Sequence, residues 1–241
     1  MRTPLTAIPL ALLLALPAVA ATSAPPLNTK DKATLSDSVL VLNDLAKAPD
    51  KGIPQDLLSK AECILIFPSV DKGAFIIGGK SGHGVASCRQ PDGKMGPLAY
   101  YTIGGASIGF QIGGQTADVV MLIMNDKGIQ YLLDDKFTFG AEGTATAGPV
   151  GRTASAATDA QMHAQILTWS RSQGLFVGAA LDGSVVKPDK DANMRLYKKA
   201  TTGKEILVDS KVGYPAPAMP LVDSIRLNMP VAAAQAKAEK S

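Results

Sequence analysis

The chain has 241 residues, a hydrophobic fraction of 46 %, few aromatic residues (5 %) and a formal charge of +3. These values fit one globular domain of ordinary core content and exclude the dense basicity of a nucleic-acid binder, so any anionic partner must be met by a local patch. Two cysteines and two histidines leave little material for a metal centre.

Residues 1–20 read as a signal peptide: Arg2 in the n-region, an apolar run from Leu10 to Leu16, and the small triplet Ala18-Val19-Ala20 before the cleavage point. The apolar run is too short to span a bilayer, and no cysteine follows to take a lipid. The expectation is a periplasmic or secreted protein, whose charge falls to about +2 once Arg2 leaves. Residues 21–29, with two consecutive prolines, read as a disordered connector. The stretch after it is an amphipathic helix ending near Pro49, with Leu35, Val39, Leu42 and Ala46 on one stripe. Its Lys30, Lys32 and Lys47 are matched by Asp31, Asp37 and Asp44, which predicts no preference for an anionic surface.

The segment Ala61–Cys88 has two apolar runs flanking a Pro68-Ser69 turn and ending in a glycine-rich basic loop. It predicts an antiparallel hairpin, with Cys63 and Cys88 joined as the single disulfide open to an exported chain; the spacing of cysteine and histidine matches no zinc pattern. Strands are expected at Cys63–Phe67, Ala74–Ile77, His83–Cys88, Leu98–Ile103 and Val119–Met124. Period-two alternation adds Phe137–Ala147, and a strand face made by Leu175, Val177, Ala179, Leu181 and Val185. Gln161–Ser172 fits helix or strand, and Thr168 and Trp169 favour strand. Helices are expected over Asp191–Lys199 and Gly203–Asp209. A Pro-rich connector then leads to a short apolar segment at Leu221–Leu227 and a fraying tail.

Gly79-Lys80-Ser81 imitates the end of a phosphate-binding loop, but Ala74 stands where that motif needs glycine and no helix follows. The glycines at 105, 109 and 113 are spaced like a membrane zipper, yet period two fits them better, as in a strand. A hydrolase would need a base beside its nucleophile; two scattered histidines and no nucleophile elbow argue against one, and Asp118, Glu142, Asp159 and Asp182 would have to converge for a carboxylate pair. Basic residues remain: Arg195, Lys198 and Lys199 share a helical face, Lys72 and Lys80 flank the glycine strand, and Arg152 follows a Gly-Pro-Val-Gly turn suited to an anion.

Several pieces, in order, resemble the SYLF domain. They are Ile66-Phe67-Pro68-Ser69-Val70 with Lys72-Gly73-Ala74-Phe75, the loop Gly78–Gly84, Gly105 through Gln115 to Asp118, Lys136–Ala141, Ala147–Arg152, Ser170-Arg171-Ser172, and Gly174–Gly178 with Leu181–Ser184. The resemblance implies an α+β fold, predominantly antiparallel β in a sandwich or barrel-like sheet, with flanking N- and C-terminal helices. It also implies a non-catalytic module, with no cofactor or metal, that binds phospholipid headgroups. For an exported chain the expected partner is anionic phospholipid or a membrane surface; neither nucleic acid nor the actin bound by some eukaryotic members is carried over. The alternative is an envelope structural or protein-interaction domain without a lipid ligand. Arg171 and Asp118 fit the family pattern, as headgroup contact or as an ion pair within the sheet. The headgroup candidates are thus Lys72, Lys80, Arg152, Arg171, Arg195, Lys198 and Lys199, within a lipid-binding domain of residues 30–212 followed by a connector, short helix and tail at 213–241.

Overall fold

A computed structural model describes residues 24–47, 52–75, 77–107, 115–143, 145–150, 164–172, 175–179 and 181–230. The signal-peptide segment, Arg152, Asp159, His163 and the tail after Pro230 lie outside the described residues, as do residues 21–23 of the expected connector and the glycines at 109 and 113. Two helices, α1 (Thr29–Lys47) and α2 (Gln55–Lys60), precede four long strands, β1 (Cys63–Phe75), β2 (Ile77–Arg89), β3 (Met95–Ser107) and β4 (Gln115–Ile123). Then follow α3 (Asp126–Leu133), β5 (Phe137–Thr138), β6 (Ala145–Ala147), β7 (Ile166–Ser172), β8 (Leu175–Gly178) and β9 (Ser184–Pro188). The chain closes with α4 (Lys190–Tyr197), α5 (Gly203–Leu207), a 3-10 turn at Ala216–Ala218 and α6 (Met219–Asn228).

All nine strands form one sheet of order β5-β9-β3-β2-β1-β4-β7-β6, with β8 beside β6 on the outer edge of β7; only the β6–β7 pair is parallel. The runs Ile64–Phe67 and Val119–Ile123 carry apolar residues on both faces because both faces are covered. One face packs Ile64, Ile66, Val85, Leu98, Tyr100, Val120, Leu122 and Trp169 against α1, α2, α4 and α6. The other gathers Leu65, Phe67, Ala86, Tyr101, Ile103, Val119, Met121 and Ile123 with Phe137, Phe139, Ile206 and Leu207. This second cluster includes residues near both sheet edges, Val186 and Ile166 among them, so it lies on the face that the curl of the sheet encloses. The expected α+β class with a barrel-like antiparallel sheet and terminal helices is therefore the observed one.

Local details differ from expectation. Pro68-Ser69 is a bulge inside β1, not a turn: one extra residue separates the pairs Phe67–Val119 and Val70–Ala117, with Ser69 at φ 55°. The bulge tolerates the missing N–H of Pro68, and the extra residue turns both Phe67 and Val70 to the enclosed core. The chain reverses between Phe75 and Ile77, where a strand at Ala74–Ile77 was expected. Phe137–Ala147 is broken by a turn, because Gly140 N–H bonds to Gly143 O and its two ends pair with opposite edges of the sheet. In β8 it is Phe176 that is buried while Leu175 and Val177 are exposed, since an edge strand has only one packed face there. Cys63 and Cys88 are register partners on β1 and β2, joined as a disulfide and buried.

Trp169 is fully buried, and its indole Nε1 donates to Pro149 O at 2.9 Å. Gly148 lies flat against that ring: a Cβ there would fall 2.0 Å from two ring carbons. Gly148→Ala should therefore lower stability by about 1–3 kcal/mol through overpacking. Gly79→Ala, whose Cβ meets nothing within 4 Å, should leave the urea midpoint nearly unchanged.

Candidate headgroup site

Asn28 caps α1 reciprocally: its side-chain oxygen accepts from Asp31 N–H at 2.8 Å, and the Asp31 carboxylate accepts from Asn28 N–H at 3.0 Å. On α4, the Asp189 side chain caps Ala192 N–H, and Asn193 bonds both the N–H and the carbonyl of Tyr100, which fixes the helix on β3. These anchors bring the start of α1 against the end of α4. There the Arg195 guanidinium reaches Asp31 through Nε at 2.6 Å and an Nη at 2.9 Å. Lys198, in the left-handed conformation that ends α4, donates from Nζ to Pro25 O at 3.0 Å.

At this end of the domain Lys30, Lys32, Lys198 and Lys199 are all exposed while Asp31 is buried and bound to Arg195; Lys30 opens towards β1 and β2, and Lys32 towards α6. Burial pushes the Asp31 carboxyl upward, but hydrogen bonds from Arg195 and Asn28 N–H, with the Arg195 charge, hold it below the usual carboxylate range. The same Asp31 hydrogen bond raises Arg195 above its ordinary value. Arg195 is thus a structural partner, whereas Lys198 and Lys199 face solvent. Sequence reasoning passed over Lys30 and Lys32 because their neighbouring aspartates cancelled them in one dimension. A signal was present: two lysines in a first helical turn oppose the helix dipole, which favours carboxylates there.

The remaining candidates lie elsewhere. Arg171 on β7 holds Asp118 through Nε at 2.6 Å and also pairs with Asp44 of α1. Burial lowers the Arg171 guanidinium, and its bonds to Asp118 and Asp44 more than offset this, leaving it raised. Asp118 in turn accepts the N–H of the bulged Ser69 at 2.9 Å, so Arg171 ties α1, β4, β7 and the β1 bulge together. Lys80 is half-buried on β2, opposite Lys72 in register; the side chain of Lys72 lies outside the described residues, as does Arg152. The four carboxylates weighed for catalysis do not share a place among the described residues. Asp118 is in the Arg171 network, Glu142 accepts Thr138 N–H, Asp182 lies beside Gly140 in an exposed turn, and Asp159 is not described. A larger cleft of about 700 Å³ between the end of α3 and the starts of α4 and α5 carries Asp134, Asp135, Asp191 and Glu205 against Lys190 and Lys204, the wrong sign for an anionic headgroup. Among the described residues no helix is long and apolar enough to cross a membrane, and no metal-ligating cluster occurs.

A family model described as Ysc84, Las17-binding protein actin regulator, matches residues 104–227. The chain is 31 % identical over 160 residues to the SH3 domain-containing YSC84-like protein 1 of Homo sapiens, covering 66 % of this chain and 46 % of that protein. It is 33 % identical over 172 residues to an SH3 domain-containing protein of Schizosaccharomyces pombe (70 % and 40 %), and 30 % identical over 182 residues to LAS seventeen-binding protein 3 of Saccharomyces cerevisiae (74 % and 39 %). The chain thus matches less than half the length of each of these relatives.

Arg195→Met should cost about 3–5 kcal/mol at neutral pH, because it leaves the buried Asp31 charge uncompensated, with only the Asn28 N–H for a partner, and adding Asp31→Asn should recover much of it. The wild-type pair stabilises above the unfolded carboxyl pKa near 4 and loses its contribution as pH falls through the lower folded value. Urea unfolding at pH 7 and pH 4.5 should accordingly show the Arg195→Met defect shrinking in acid, since its Asp31 then takes up a proton.

Proposed function

This chain belongs to the Ysc84 family, also called the SYLF family, and on that premise we propose that it is an exported, non-catalytic module that binds anionic phospholipid headgroups. The observation that carries the reading is the lysine corner. Four exposed lysines, two in the first turn of α1 and two just past the end of α4, lie at the end of the domain where the Asp31 carboxylate is already neutralised by Arg195, so this end carries a net positive charge. Near an anionic surface each such charge contributes about 1 kcal/mol. Lysine suits a fluid array of phosphates, being a compact point charge on a flexible stem without a demanded bidentate geometry. Export accords with the Cys63–Cys88 disulfide, which persists in oxidising compartments. We assign residues 30–212 to the binding module, 1–20 to a cleaved leader, 21–29 to a connector and 213–241 to an appended segment that includes α6.

A second reading, a protein-interaction module, is favoured by the family description as Las17-binding and by the exposed Leu175 and Val177 on edge strand β8. The two are separated by vesicle co-sedimentation of the pure protein. Phosphatidylglycerol vesicles should retain it at low salt and release it near 1 M salt, where the screening length is about 3 Å. Lys32→Gln with Lys199→Gln removes two of the four charges and should weaken retention by roughly 20- to 30-fold, about 2 kcal/mol. Absent or salt-independent retention rejects the lipid reading and leaves the protein-interaction one.

A further inference from the structure

A small cleft of about 160 Å³ separates the first turns of α1 from β1 and β2 beside the bulge. Its charged lining is of both signs: Lys30 and Asp37 from α1, His83 from β2 and Asp71 from β1, with the hydroxyls of Ser69 and Ser81 between. Lys30 and Asp37 are seven residues apart, so they lie on one face of α1 about 10.5 Å apart along the axis. The opposite wall runs the same way. Asp71 pairs with Ser81, and His83 lies two residues further along β2, about 6.8 Å away. Lys30 is close enough to His83 to lower its imidazole pKa, after burial, the larger cause. Lys30 and His83 therefore make one end of the cleft and Asp37 and Asp71 the other.

The cleft is thus polarised along its length, with the Lys30 ammonium and the His83 ring, which Asp189 faces, at one end and the Asp37 and Asp71 carboxylates at the other. Among the described residues Lys30, Asp37 and Asp71 have no ion-pair partner; Asp71 accepts only from Thr116 Oγ1, at 3.0 Å, and His83 Nδ1 lies 3.5 Å from Asp189. Along the α1 wall, charge-assisted hydrogen bonds of about 2.8 Å at each end of that rise leave about 5 Å between the complementary groups of an occupant, while the β wall is more closely spaced. We propose that this cleft binds a primary-ammonium phosphate of the phosphoethanolamine type, its phosphate on Lys30 and His83 and its ammonium on Asp37 and Asp71. The site is distinct from the lysine corner, sharing only Lys30, and does not depend on the anionic-headgroup reading. A simple anion would leave the two carboxylates unanswered, and a trimethylated ammonium would offer them no N–H donor.

The test uses O-phosphoethanolamine, phosphocholine and glycerol 3-phosphate in turn, following the His83 ring protons by NMR. O-phosphoethanolamine should give a saturable shift, with phosphocholine and glycerol 3-phosphate at least about tenfold weaker for want of a charge-assisted hydrogen bond. Asp37→Asn, a near-isosteric change at a half-buried position, should remove that preference while leaving glycerol 3-phosphate binding unchanged; Asp71→Asn provides a second variant should the first perturb α1. Vesicles containing phosphatidylethanolamine, compared with phosphatidylcholine, identify the source: retention on the former marks a lipid headgroup, and binding of the soluble probe alone marks a free compound. Equal affinity for all three probes, a preference that survives both variants, or no saturable shift with either form overturns the proposal. The salt-sensitive phosphatidylglycerol assay is unaffected by that outcome, so the two readings fail separately.

Discussion

The connection from β5 to β6 is too short for a flat sheet. Seven chain steps separate Thr138 from Ala145, a reach of about 25 Å when fully extended. The two strands lie on opposite edges of an eight-position sheet whose flat width would be about 34 Å. The turn at Phe139–Gly143 shortens the reach further. The sheet must therefore curl, and curling divides its side chains into an enclosed core and an outer apolar face. The enclosed core closes on Phe137, Phe139, Ile206 and Leu207; the outer face exists as a stable surface only because α1, α2, α4 and α6 cover it. The extra twist of the Pro68-Ser69 bulge falls on β1, at the middle of this curved sheet.

Covering helices bring the electrostatics with them. Among the described residues, the two candidate arginines are turned inward instead, Arg195 onto Asp31 near the start of α1 and Arg171 onto Asp44 near its end. Each planar guanidinium makes several directed bonds at once, which suits a partly buried clamp. The clamps bind Asp31 and Asp44 of α1 from the protein side, while Lys30 and Lys32 stay exposed. A helix that is nearly neutral as a sequence thus becomes the cationic rim of a folded domain. Arg89 shows the same use of guanidinium, donating to carbonyls of α2, of its own turn and of Pro230 beyond α6.

The lysine corner and the amphoteric cleft lie at one end of α1 and share Lys30. Their chemistry differs. The corner is an open array, suited to a surface of many phosphates, whereas the cleft is narrow and ordered by charge, suited to one small group. Both depend on α1 being held in register with β1 and β2, and hence on the Arg195–Asp31 pair. The family model matches residues 104–227, so Lys198 and Lys199 lie inside it, while Lys30, Asp37, Asp71 and His83 lie before it.

The amino-acid sequence by itself determined the strand-rich character of the chain, the apolar cores of the four central strands, the amphipathic first helix and the pairing of Cys63 with Cys88. Each is written in local periodicity, or in having only one pairing available. That β1 runs on through Pro68-Ser69 and β2 through the glycine-rich segment was not written there. Tertiary structure alone decided where Phe137–Ala147 is broken, which parity of β8 is buried, and that Pro68-Ser69 is a bulge: all three follow from pairings with strands distant in the chain. It also decided the charge of the candidate site. Counting along α1 cancels Lys30 and Lys32 against Asp31 and Asp37, but in space Asp31 belongs to Arg195, more than 160 residues away, and Asp37 to the other end of the cleft from Lys30. Charges act by distance through space, and distance is fixed only once the sheet has curled and its covering helices are in place.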